Sequence, residues 1–297
     1  MPVLINSANH IATLRELGAR RNAPLRAMST MKVGGDAEYL LTPKTREDMI
    51  VALQSCHDAS VPFRILGKGS NVLIPDAGVP GLVIRNSSAL TGIEIQRRSV
   101  RAGASASLQR LINEAGKAGL GGIEYLYSVP GNVGGAIFMN AGRGRYFKKS
   151  IGDVVRRVEY WHKGRVRTIH RWRCRFSFRH SIFQQMEGAV ILSAVLKLDR
   201  CLPEESQTRV RERMDLVKDQ QDNNAPNLGT VFRSGFENLE GIQGQTDGDA
   251  MFSVRTTNWI LNQGQAKSEN VMALVDYARQ RHASAGLKEP ELEWTIW

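Results

Sequence analysis

With 297 residues, 42% of them hydrophobic and 23% charged, the chain has the composition of a soluble globular protein and the length for two or three lobes of roughly 100 residues each, which excludes a single small core. No apolar run reaches the roughly 18 residues that span a bilayer, and the N-terminus lacks a basic stretch followed by an apolar one, so no membrane partner is expected and the cytoplasm is the expected location. The formal charge of +11 comes without a helix-turn-helix, zinc-finger or RNA-binding signature, so no nucleic-acid partner is expected either. A positive field of this kind can draw in small anionic substrates.

In chain order, Ile11, Leu14 and Leu17 suggest a short amphipathic helix within residues 1–20. Met31 to Pro43 places a Gly pair before an apolar strand ended by Pro, and Thr45 with Asp48 forms a capping box for a helix carrying Met49, Leu53 and Cys56 on one face. Val61 to Leu66 reads as a strand, Gly67 to Asn71 as a turn, and Val72 to Ile74 with Leu82 to Ile84 as further strand. Arg101 to Ala104 is another strand, followed by a helix from Ser107 to about Ala118, stopped by Gly119, Gly121 and Gly122. After a Gly-rich stretch come Val154 to Trp161 and Arg165 to His170, two strands joined at Lys163 and Gly164, and then the β-run Ala189 to Leu198. The segment Arg165 to Arg179 is the densest basic cluster and reads as an exposed strand with its following loop. A helix carrying Val210, Met214 and Val217 leads to the polar break Asp222 to Pro226, and a helix from Ser268 carries Val271, Leu274, Val275 and Ala278 on one face. Cys56, Cys174 and Cys201 are too widely spaced for a disulfide framework or a zinc site, and the histidines lack ligand spacing, so no metal is expected.

The stretch Ile123 to Gly142 (IEYLYSVPGNVGGAIFMNAG) sets four glycines together with Pro130, Asn132 and Asn140 in a run filled mostly by apolar and aromatic residues. Glycines this dense cost chain entropy and add no packing, so either the backbone approaches a phosphate-bearing ligand there or the run is a tight turn between core strands. It is the third of three Gly-rich segments, after Val33 to Pro43 (VGGDAEYLLTP) and Ile65 to Asp76 (ILGKGSNVLIPD). In that order and approximate spacing the three resemble the flavin-binding half of the UDP-N-acetylenolpyruvoylglucosamine reductase (MurB) family, over roughly Leu25 to Leu198. The resemblance implies an α+β chain: the two-lobed FAD-binding fold of the vanillyl-alcohol oxidase and p-cresol methylhydroxylase type, at residues 1–90 and 91–201, plus a C-terminal α/β substrate-binding domain at 202–297. By the same resemblance Gly67, Gly69, Ser70, Asn71, Pro130, Gly131, Gly134, Gly135, Asn140 and Gly142 line a non-covalent FAD. The glycine spacing is not that of a Rossmann fingerprint.

The family passes a hydride from NADPH through FAD to the enolpyruvyl group of UDP-N-acetylglucosamine enolpyruvate, giving UDP-N-acetylmuramate for peptidoglycan, and so serves cell-wall biogenesis, cell shape and division. That chemistry asks for a cation at the substrate carboxylate, a carboxylate and a proton donor. Phe178 to Phe183 (FRHSIF) is similar to the family's Tyr-Arg-x-Ser-x-Phe motif and implies Arg179 as the cation, with Ser181 as structural support or a flavin contact. Gly229 to Arg233 (GTVFR) is similar to Gly-Ser-x-Phe-Lys, placing Thr230 at the proton-donor serine and Arg233 at a substrate-contacting lysine, with Ser234 where the family has Asn. Glu289 to Trp294 (EPELEW) resembles the Leu-Glu-x-Glu-Val segment and implies Glu291 as the catalytic carboxylate, and Asn258 to Ala266 resembles a further segment that implies Asn262 as a substrate contact. Thr256 stands where a His is common.

Between Arg233 and Thr256 the chain is shorter than the family pattern. An alternative is therefore a paralogous FAD-dependent oxidoreductase on the same scaffold, acting on another anionic or nucleotide-linked substrate. A non-catalytic flavin or nucleotide binder, or a basic nucleic-acid binder, is a third reading. A monomer is expected, with NADPH and a UDP-sugar as partners.

Overall fold

The structure, a computed structural model, describes residues 8–143, 149–235, 239 and 241–297. The expected Gly-rich, capped and periodic segments become regular structure for local reasons. Thr45 caps the helix Arg46–Asp58 by accepting from the Asp48 N–H, while Asp48 accepts from the Thr45 N–H, so two of the helix's orphan donors are satisfied reciprocally. Ser107 caps Leu108–Lys117 with a single bond, accepting from the Arg110 N–H. Lys163 and Gly164 both take positive φ, as a tight two-residue hairpin requires, and join the strands Val155–His162 and Arg165–His170.

The chain divides into two compact units, and the division differs from three consecutive lobes. The first unit comprises Met1–Arg20, Tyr39–Gly67 and Gly81–Leu216. Its main sheet has five antiparallel strands, ordered Arg165–His170, Val155–His162, Val190–Lys197, Ser99–Gly103 and Ile93–Gln96. Phe63–Leu66 runs parallel to the strand ending at Arg85, with Leu66 opposite Arg85. One continuous core holds this unit, drawing Met49, Leu53 and Cys56 from the first capped helix, Leu108, Leu111 and Ile112 from the second, and Leu192, Ala194 and Leu196 from the central strand.

Arg21–Glu38, Lys68–Pro80 and Val217–Trp297 make the second unit. Asn227–Thr230, Trp259–Asn262, Ala250–Phe252 and Thr246–Asp247 form a four-stranded sheet, and the helix Ser268–Ser284 buries Val271, Leu274, Val275 and Ala278 as its periodicity predicts. Its core also takes in Met31, Val33 and Leu73, far away in sequence. Phe232–Ser234 pairs with Glu291–Leu292, and Thr295–Ile296 pairs in parallel with Val72–Leu73. Most of the helix Pro203–Gln220, expected in the C-terminal domain, belongs to the first unit, which ends at Leu216.

Candidate active site

In the first unit the Gly-rich stretch is not a turn between strands. Val133–Phe138 is a short helix, even though two of its six residues are glycine. Its start is held by sheet-side carbonyls: Val133 donates to Ala106 and Gly134 to Ala104, each at 2.9 Å, and Leu108 donates to the Gly131 carbonyl at 3.1 Å. Just upstream, Gln109 Nε2 donates to the carbonyls of Tyr127 and Val129 at 2.7 and 2.8 Å, which fixes the approach to Pro130. Asn132 Nδ2 donates to the Asn86 carbonyl, and Ser105 Oγ donates to Asn86 Oδ1, while the Asn86 N–H reaches the Leu66 carbonyl. Asn86 thereby ties the end of strand Phe63–Leu66, and with it Gly67, to the stretch around Gly131.

The glycines of the expected FAD set fall into two classes when a Cβ is placed on each. At Gly69, Gly134 and Gly142 it would collide with the protein itself: with the Met28 carbonyl oxygen, with Ala104 Cβ at 2.9 Å, and with the Lys149 carbonyl oxygen. These glycines are demanded by packing. At Gly67 and Gly131 the nearest atoms stand 3.8 and 3.7 Å away, and at Gly135 nothing lies within 4 Å. The chain itself does not require glycine at these three positions, and they leave open backbone around one Asn-braced corner of the unit. FAD fits such a corner, because its pyrophosphate and ring need close backbone approach and neutral donors.

Asn140 is 4% exposed, and its amide is spent within the protein, donating to Ser177 O at 2.7 Å and accepting from Gly152 N–H at 3.0 Å. Those bonds position the hairpin that carries Arg179. Ser177 and His180 exchange backbone hydrogen bonds at 3.1 Å, which forces Arg179 to φ +52. Positive φ in a non-Gly residue is strained and persists only where its surroundings hold it. Gln184 Nε2 holds it by donating to Arg179 O at 3.0 Å and Phe138 O at 2.9 Å, and Ser181 Oγ also donates to Phe138 O. Arg179 Nη1 in turn donates to Gly142 O at 3.0 Å. Gln184 and Asn86 lie outside the three Gly-rich segments, and no local pattern in the sequence marks either of them.

The second unit brings together residues from three distant segments. Thr30 donates through its N–H to Gly69 O at 3.0 Å and through Oγ1 to Asn227 O at 2.7 Å, linking the turn before Ser70 to the strand that ends at Thr230. Asn71 Nδ2 donates to Glu293 O at 3.1 Å, and Thr295 N–H donates to Asn71 O. Thr230 is half-buried and sits opposite Trp259. Next to it, Asn258 brackets Phe232, accepting from its N–H and donating to its carbonyl. Pairing of Phe232 with Leu292 and Ser234 with Glu291 then brings Arg233 to Glu291, with Arg233 Nε 3.2 Å from Oε2. Lys288 Nζ stands 3.4 Å from the other carboxylate oxygen. The bond from Arg233, followed by that from Lys288, holds the Glu291 carboxyl below the usual carboxylate range, so it is an ionised group at neutral pH. Lys288 is a second cation that the sequence reading missed, although it lies three residues before Glu291.

Asn262 is 2% exposed. Its amide donates to Met31 O and accepts from the N–H groups of Gly264 and Ala266, so it shapes the loop after its strand. Thr256 accepts from Asp222 N–H and donates to Gln220 O, closing the end of the helix Pro203–Gln220.

Residues 37–169 match the family described as FAD binding domain. The chain is 33% identical over 282 residues to the UDP-N-acetylenolpyruvoylglucosamine reductase of Pseudothermotoga lettingae, covering 92% of this chain and 96% of that protein. It is 30% identical over 274 residues to the UDP-N-acetylenolpyruvoylglucosamine reductase of Bacillus subtilis, with 90% of each covered. The crystal structure of UDP-N-acetylenolpyruvylglucosamine reductase (MurB) from Thermus caldophilus superposes with a TM-score of 0.79 at 32% identity, over 93% of this chain and 97% of that one. A solvent-stable cholesterol oxidase shares the fold alone, with a TM-score of 0.50 at 16% identity over 63% of this chain and 38% of that chain. The α+β, FAD-binding fold and the likeness along nearly the whole chain lead to one assignment: the chain belongs to the UDP-N-acetylenolpyruvoylglucosamine reductase family.

Proposed function

We propose that this chain is an FAD-dependent reductase that passes a hydride from NADPH to the enolpyruvyl group of UDP-N-acetylglucosamine enolpyruvate, giving UDP-N-acetylmuramate, a peptidoglycan precursor. In this reading it works in the cytoplasm as a monomer, in the pathway that sustains cell shape and division. The observation that carries the reading is the strand pairing that joins Arg233 to Glu291 close in sequence to Thr230, in a chain whose likeness to a named reductase covers 92% of its length. The open backbone at Gly67, Gly131 and Gly135, with Pro130 beside it, is assigned to FAD, as are Ser70 and Asn71. Bound FAD supplies a two-electron relay that accepts hydride from NADPH and gives it to the substrate alkene.

The protein's own groups handle charge and protons. Arg179 is assigned to the substrate carboxylate: a guanidinium offers five donors in a plane, and the bond to Gly142 fixes that plane. Such a cation favours the enolate that develops as hydride adds. Thr230 Oγ1–H is assigned as the donor that protonates the enolate carbon. Glu291, ionised beside Arg233 and Lys288, is assigned as the carboxylate that orients the donor group, and the Thr230 alkoxide left by the transfer takes a proton back from solvent water. Arg233 also belongs to the substrate-contacting set.

The test is anaerobic. NADPH should bleach the flavin absorption of the purified protein, and UDP-N-acetylglucosamine enolpyruvate should restore it. In Arg179→Met and Glu291→Gln the flavin should still bind and bleach, while reoxidation by substrate slows by several orders of magnitude; wild-type reoxidation would remove those two assignments. Bleaching that this substrate never reverses would favour a paralogous oxidoreductase with another anionic or nucleotide-linked substrate, the reading suggested by Thr230, Ser234 and the short segment after Arg233.

A further inference from the structure

Residues 155–179 hold nine Lys or Arg against one carboxylate, Glu159, a net of +8 where the whole chain carries +11. None of the proposed chemistry uses this segment before Arg179. It forms the hairpin Val155–His162 and Arg165–His170, whose second strand is outermost in the five-stranded sheet, followed by the helical turn Arg171–Arg173. Glu159 is taken by two cations from outside the segment, Arg46 at 3.0 Å and Arg101 at 3.1 Å. Arg165, Arg167, Arg173 and Arg175 are exposed and have no ion-pair partner among the described residues.

The same segment exposes apolar side chains. Trp172 is 71% exposed, the highest value for any large hydrophobic residue described, and Val166 is 43% exposed. Strand alternation puts Val166 and His170 on one face, and the Trp172 ring lies parallel to that of His170, at 10° and 6.4 Å. Arg173 stands over the Trp172 ring at 4.7 Å. Because the strand is outermost, Arg165 and Arg167 from one face and Val166 and His170 from the other flank a single rim.

Steering small anions needs cations and no exposed indole. A nucleic-acid strand would use free aromatic faces for base stacking, but the Trp172 ring is already engaged by Arg173 and His170, and Val166 offers no stacking at all. A bilayer with anionic headgroups uses every part: phosphates meet the guanidinium groups, while an amphipathic indole and a small aliphatic group sit at the interface. We infer that this hairpin rim and turn form a docking surface for an anionic lipid bilayer, holding the protein peripherally on the membrane face.

The test uses the full-length holoprotein with vesicles of equimolar phosphatidylcholine and phosphatidylglycerol, and with phosphatidylcholine alone. The wild type should co-sediment with the anionic vesicles only, be released as salt rises, and show a blue-shifted tryptophan emission when bound. Arg165→Gln with Arg167→Gln should weaken binding about twentyfold to thirtyfold, from about fivefold per cation. Trp172→Ala should abolish the emission shift and weaken binding about tenfold. Both variants should keep their flavin and its reduction by NADPH, which separates loss of docking from loss of fold. Lack of salt-sensitive binding to the anionic vesicles overturns the inference. So does displacement by a single-stranded oligonucleotide with Trp172→Ala binding vesicles like wild type, which would assign the rim to nucleic acid.

Discussion

Glu291 shows how much of a catalytic assignment rests on immediate neighbours. Two cations face its carboxylate, Arg233 at 3.2 Å and Lys288 at 3.4 Å, and both bonds favour the charged form. A folded-state pKa below the unfolded one means that the charged carboxylate is fully present above the ordinary carboxylate range and is lost only as pH falls through the depressed value. Arg233→Gln should therefore raise the pKa of Glu291, so that the acid limb of the flavin-reoxidation pH profile moves to higher pH than in the wild type. An unmoved limb would show that Glu291 is not the group titrating. At Thr230 the expected series separates hydroxyl from methyl. Thr230→Val removes the donor and should slow reoxidation by substrate about 100-fold or more, within the range that general acid catalysis contributes. Thr230→Ser keeps the donor, frees χ1 and should match or exceed the wild type. Normal turnover in Thr230→Val would mean that another group delivers the proton.

Among the elements, the helices capped by Thr45 and Ser107 and the glycine-rich helix make a useful contrast. Thr45 with Asp48 and Ser107 start their helices through contacts three residues away, so both starts could be read directly from the sequence. Thr45→Ala should cost about 1 kcal/mol in thermal or denaturant unfolding. Val133–Phe138 could not be read in this way, because glycine is a poor helix former and the helix start depends on the carbonyls of Ala104 and Ala106. Within this helix adjacent glycines should behave oppositely on substitution. Gly134→Ala drives a methyl to 2.9 Å from Ala104 Cβ and should destabilise the protein by about 1–3 kcal/mol. Gly135→Ala meets no protein atom, so the unfolding midpoint of the apoprotein should hold or rise, while FAD affinity should fall about tenfold if backbone approach matters there. Unchanged FAD affinity in Gly135→Ala would return that glycine to the packing class.

At the scale of the whole molecule, the two cores draw on sequence in different ways. In the first unit the core collects elements already legible as alternating or helical patterns, including both Cys56 and Cys174. Burial pushes the Cys56 thiol up to about 12 and the Cys174 thiol up to about 11, so neither forms thiolate at neutral pH. A maleimide should leave both unlabelled in the native protein and label them in parallel with unfolding; rapid native labelling would show that this core opens locally. By linkage, thiol pKa values raised by folding give stability that is complete below the ordinary thiol range and fades as pH climbs toward those values, so the unfolding midpoint should drop on the alkaline side.

The sequence by itself determined the capped helices and the buried faces, because caps and periodicity act over a few residues, and its resemblance to a known family implied the cofactor class and Arg179, Thr230 and Glu291 as candidates. Only the tertiary structure decided that Arg21–Glu38 and Lys68–Pro80 join the C-terminal residues in one unit, that Asn140 and Asn262 spend their amides inside the protein, and which glycines are open. Those outcomes depend on carbonyls and methyl groups contributed by residues tens to hundreds of positions away, such as Met31 for Asn262 and Ala104 for Gly134, and no local pattern encodes where such atoms will stand.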